Sequence, residues 1–87
     1  MLKELKNIMV ELKEIVKNNN MIDCDAYVED CTDAIHLSYS VSEDKFSDYV
    51  LPKGYLWCDM HIAHAKRYIE SLVGKAKIPS KKLIMWY

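Results

Sequence analysis

Glycine and proline are scarce in this chain: there are two of each among 87 residues, and the first of either is Pro52. A β-rich protein of this size normally spends glycine, Asn-Gly or proline at several turns, so the scarcity favours helices. The three cysteines include no CxxC pair, which points to reduced thiols and away from a disulfide framework. No apolar run approaches the length of a membrane span. The amphipathic, mixed-charge N-terminus lacks the apolar segment of a signal peptide. Together these absences lead to the expectation of a cytoplasmic chain that does not engage membranes. A Gly-rich phosphate loop, HExxH and the glycine-centred loop of a calcium hand are missing as well. No motif names a reaction.

Apolar residues make up 51% of the chain, enough for one modest core and too many for a disordered segment. Residues 1–87 therefore read as a single domain, with a body over 1–77 and an apolar segment over 78–87. The formal net charge is −1, but it is unevenly spread. Residues 23–59 carry nine acids and two bases, and residues 66–87 carry six bases and one acid. A chain so divided is no general nucleic-acid binder, which needs a dominant basic surface. It is suited to self-association or to holding an anion near its basic end.

Leu2, Leu5, Met9, Leu12 and Val16 form a heptad-like seam, widened by Ile8 and Ile15, and predict an amphipathic helix over residues 1–17. Three consecutive asparagines, Asn18 to Asn20, make a connector. Residues 22–51 carry two patterns. Cys24, Val28, Cys31, Ile35, Tyr39, Ser42, Phe46 and Tyr49 keep to one stripe of a long helix. Ile22, Cys24, Ala26 and Val28, then Ile35, Leu37, Tyr39 and Val41, alternate as in a hairpin turning through Asp30–Asp33. The helix covers more residues with one period, and the hairpin has no turn glycine, so the helix is the expectation.

Leu51-Pro52-Lys53-Gly54 reads as a turn. The clearest helix follows over residues 54–73, with Tyr55, Cys58, Ile62, Ala65, Ile69 and Leu72 on one face and Gly74 placed to end it. Beside that face runs a second stripe of Trp57, His61, His64, Tyr68 and Ser71. After Pro79 the chain ends on two lysines and Leu83, Ile84, Met85, Trp86 and Tyr87. This segment reads either as a closing strand folded over the body or as a docking segment for a partner.

Candidate chemistry is thin. Cys58, His61 and His64 lie three apart on one helix, which separates the outer two by about 9 Å and keeps all three from one metal ion. Cys24, Cys31 and Cys58 fall on core faces, where a thiol is an inert small hydrophobe. Asp23, Asp25, Glu29, Asp30 and Asp33 read as a solvated acidic face, and as a decoy surface for a basic partner. No catalytic residue, metal site or cofactor is expected.

The expected fold is a three-helix bundle with an apolar C-terminal tail, and the alternative is an α+β domain in the order helix, hairpin, helix, strand. The expected function is non-enzymatic: stoichiometric association with a larger protein, as an inhibitor or adaptor. Trp57, His61, His64 and Tyr68, with Leu83, Met85, Trp86 and Tyr87 as tail anchors, are the expected contacts, since Trp, Tyr and Met populate interface centres. The alternative is a homo-oligomer that sequesters a small anion such as a nucleotide through Lys66, Arg67, Lys81 and Lys82. In style, so short a Lys-, Asn- and Ile-rich chain resembles accessory proteins of AT-rich bacteria and their phages, such as counter-defence proteins.

Overall fold

Alternating burial, and not helical periodicity, governs most of this chain. The computed structural model describes residues 9–86. Its elements are strands β1 (Met9–Asn18), β2 (Met21–Val28), β3 (Ile35–Ser40) and β4 (Lys45–Phe46), helix α1 (Asp59–Ser71) and strand β5 (Lys82–Met85). The strands form one sheet in the order β4-β3-β2-β1-β5, and every neighbouring pair is antiparallel.

One face of the sheet presents Val10, Leu12 and Ile15 from β1, Ile22, Cys24, Ala26 and Val28 from β2, and Ile35, Leu37 and Tyr39 from β3. Helix α1 lays Ile62, Ala65 and Ile69 on that face, with Cys58 and Leu72 at its two ends. Each fully buried Ile or Leu contributes about 1.5–3 kcal/mol of transfer free energy. The opposite face carries Glu11, Lys13, Asp23, Asp25, Tyr27, His36 and Ser38, none of them buried. An antiparallel sheet covered on one side only produces this apolar-in, polar-out alternation.

The expected three-helix bundle is therefore wrong: strands replace two of its three helices, and the sheet dominates. The α+β alternative fails at its first element, because β1 and not a helix runs from Met9. The cause lies in β1 itself. Its register against β2 shifts between Lys13 and Val16, and Glu14 takes the left-handed backbone, with φ of 54°. This β-bulge places Leu12 and Ile15 on the same face at a step of three. A step of three is a helical signature, and Val16, assigned to the helical seam, is exposed. Leu2, Leu5 and Ile8 of that seam lie outside the described residues.

The long helix over 22–51 has an equally simple origin. Two strand steps span four residues, close to one helical turn, so Cys24 and Val28, or Ile35 and Tyr39, suit either period. Ile22, Ala26 and Leu37 decide it: all three are fully buried, and each lies two residues from a member of that stripe, about 200° away from it on a helix. The β2–β3 connection needs no glycine because Glu29 takes the left-handed backbone there, with φ of 50°, and the turn between β1 and β2 is tied down by Asn20. Its side-chain Oδ1 accepts from the Ser42 backbone N–H at 2.8 Å, and its Nδ2 donates to Ser42 Oγ at 3.0 Å. The third helix is present but shorter, with Gly74 in the left-handed conformation, φ of 88°, just past its end.

Candidate functional site

A turn feeds α1. Tyr55 N–H donates to the Pro52 carbonyl at 2.9 Å and Cys58 N–H to the Tyr55 carbonyl at 3.0 Å. Trp57 Nε1 donates to the Gly54 carbonyl at 3.0 Å, pinning the indole against the turn. Asp59 stands in the first helical turn, where the helix dipole favours an acid.

The second stripe of α1 meets the chain's own C-terminal segment. Trp86, just past β5, stacks on His64 with ring centroids 4.0 Å apart and planes at 17°. The same indole meets His61 edge-on at 5.0 Å, while Trp57 meets His61 edge-on at 5.4 Å. Lower on the helix, Lys82 Nζ lies 5.6 Å from the Tyr68 ring centre. The expected contacts Trp57, His61, His64, Tyr68 and Trp86 are thus gathered at one flank, largely engaged with each other. Leu83 and Met85 point to the opposite face of the sheet, alongside Glu11 and Met9, and remain exposed. Tyr87 lies outside the described residues.

Beneath this aromatic flank sits a polar pair. His61 Nε2 lies 2.6 Å from Glu29 Oε2, and both side chains are 3% exposed. Glu29 Oε2 also accepts from the Met9 backbone N–H at 3.1 Å. Glu29 Oε1 and His61 Nδ1 are buried with no hydrogen-bond partner among the described residues. The expectation that Glu29 belongs to a solvated acidic face is corrected here. By strand alternation a residue after inward-facing Val28 should point outward. The left-handed backbone of Glu29, with φ of 50°, turns its side chain into the core instead. Nothing in the sequence signals that turn, since Asn and Gly rather than Glu mark such positions.

The other acids, Asp23, Asp25, Asp30 and Asp33, are not buried. His36 lies between Asp23 at 3.6 Å and Asp25 at 3.2 Å on the open face of the sheet. Among the described residues no group of three or more His, Cys, Asp or Glu side chains is placed to hold a metal ion. The thiols are poor nucleophiles. Burial, helped by Asp25 and Asp23, pushes Cys24 up to about 12, and burial with Glu29 nearby pushes Cys58 up to about 11. Both therefore stay protonated at neutral pH.

The anion-binding alternative is not assembled within one chain. Lys66 lies over the Phe46 and Tyr49 rings at 5.2 and 5.0 Å, on the β3–β4 side of α1, whereas Lys82 lies on the β5 side. Arg67 and Lys81 are exposed. No described helix is long and apolar enough to cross a membrane.

Sequence reasoning missed Leu56 and Met60, which flank Trp57 where α1 begins. Leu56 is 67% exposed, Trp57 53% and Met60 62%. Leu56 beside Trp57 and Met60 three residues further on were visible in the sequence, but their phase relative to the core became clear only with the helix start at Asp59. Comparison of this chain with protein-family models, curated proteins and solved structures finds no match.

Proposed function

We propose that this is a non-enzymatic, cytoplasmic binding protein that acts by stoichiometric association with a larger protein, as an inhibitor or adaptor. One observation carries this reading: Leu56, Trp57 and Met60 are large, apolar and mostly exposed within five consecutive residues at the start of α1. Neighbouring large apolar side chains left in water mark interaction surfaces more often than isolated ones do. The patch also rests on a rigid base. Trp57 is held by the Gly54 carbonyl and by His61, so little ordering entropy is lost when a partner covers it. Three free, buried cysteines suit a reducing compartment.

The test is capture from a lysate of the source cell, or of its host, with the full-length chain as bait. The double variant Leu56→Ser/Met60→Ser should keep the native circular dichroism spectrum, because both side chains are exposed. It should lose the stoichiometric partner band. A band of equal strength with the variant, or no band with either bait, overturns the reading.

A further inference from the structure

We propose that the edge of β5 left unpaired among the described residues is a strand-docking site, and that it takes an extended, carboxylate-bearing segment of the protein partner. This rests on the association reading above and names how the partner is held.

The backbone geometry comes first. Met9 turns both its main-chain groups toward β2: its carbonyl accepts from Glu29 N–H at 3.2 Å, and its N–H reaches the Glu29 carboxylate. Backbone groups alternate sides along an antiparallel strand, so Val10 and Leu12 address β5. Their partners are Ile84 and Lys82. Leu83 and Met85 therefore aim their N–H and carbonyl groups away from β1, where no described strand pairs with them. The other edge strand, β4, has two residues, too few to template a partner.

Side chains around this edge suit an incoming strand. Leu83 and Met85 are 50% and 48% exposed on the outer face. Ile84 and Trp86 turn inward, and Trp86 rests on His64. A strand added here would bury apolar side chains against Leu83 and Met85, while main-chain hydrogen bonds supply the affinity.

Charge selects the occupant. Residues 74–86 hold Lys75, Lys77, Lys81 and Lys82 and no acid. A second copy would bring its own Lys81 and Lys82 to the same edge, and like charges set side by side oppose that pairing. Lysine is a common guard against edge-to-edge self-association. The same charge attracts a strand that carries carboxylates between its apolar residues.

The probe is a short labelled peptide alternating glutamate and valine, with a lysine-for-glutamate counterpart, followed by fluorescence anisotropy on the full chain. The glutamate peptide should bind roughly tenfold more tightly or better than the lysine peptide, and added salt should weaken it. Leu83→Pro deletes an outward N–H, a change an edge strand tolerates, and should abolish binding. Leu83→Ala keeps that N–H and should retain most of it. Amide exchange at Leu83 and Met85 in the unaltered chain should slow when the peptide is added, which gives an answer even where the proline variant fails to fold.

Equal binding of the two peptides, unchanged exchange, or full binding by a folded Leu83→Pro variant overturns the proposal. A concentration-dependent dimer that Leu83→Pro dissolves would place a second copy on the edge and also overturn it. If the peptide fails while Leu56→Ser/Met60→Ser still loses its partner band, strand docking falls and association stands. If that variant keeps its band, association itself falls.

Discussion

The most demanding residues in this protein are Glu29 and His61, because the fold places a carboxylate and an imidazole in its interior. Each leaves one polar atom unpartnered among the described residues, so the pair survives on a single 2.6 Å contact and the Met9 amide. Removing one member of such a pair costs about 3–5 kcal/mol, while replacing both with apolar residues is often close to neutral. Glu29→Leu is therefore expected to lose about 3–5 kcal/mol in urea unfolding. Glu29→Leu/His61→Leu should lose distinctly less than the two single variants combined. Strict additivity would show that the two side chains are energetically independent.

At the scale of elements, β1 shows how a strand can be mistaken for a helix. Leu12 and Ile15 share a face only because Glu14 is spliced between them in a left-handed conformation. That geometry costs a non-glycine residue roughly 1–2 kcal/mol and glycine almost nothing. Glu14→Gly is expected to stabilise the fold by about 1 kcal/mol, less glycine's extra entropy in the unfolded chain. Lys13→Gly, at a position of ordinary backbone, should destabilise it. Thermal unfolding of the two variants, moving in opposite directions, is the check. The same bulge limits what could be read beforehand. In β2 and β3 the alternation of Ile22–Val28 and Ile35–Tyr39 stood in the sequence, outweighed by the absence of turn glycines, whose left-handed backbone Glu29 supplies between the two strands. Over Asp59–Ser71 the helix was legible because Ile62, Ala65 and Ile69 admit no other period. At the site, Trp57, His61, His64 and Tyr68 were legible as a stripe, but that Trp86 covers it depends on tertiary contact. Glu29 was hidden because its burial follows from one backbone angle.

At the scale of the molecule, β5 joins the two ends of the described chain, pairing Met9–Leu12 with Lys82–Met85. An unstructured docking tail would leave the body intact when cut away. A sheet strand would not, for two separable reasons. Removing residues 79–87 exposes the β5-facing edge of β1, a ten-residue strand, and long unprotected edges template aggregation. It also strips the Trp86 indole from His61 and His64. Trp86→Ala isolates the second loss. Burial of this indole is only partial, so its cost should fall below the 3–5 kcal/mol of a core aromatic, at about 1–3 kcal/mol. The truncated chain is expected to elute as aggregate in size exclusion, and Trp86→Ala to elute as the parent protein does with a lowered melting temperature. A truncated chain that elutes and melts like the parent would return the C-terminal segment to the status of a detachable tail. The strand-docking edge at Leu83 and Met85 would then lose the rigid base that makes it a template.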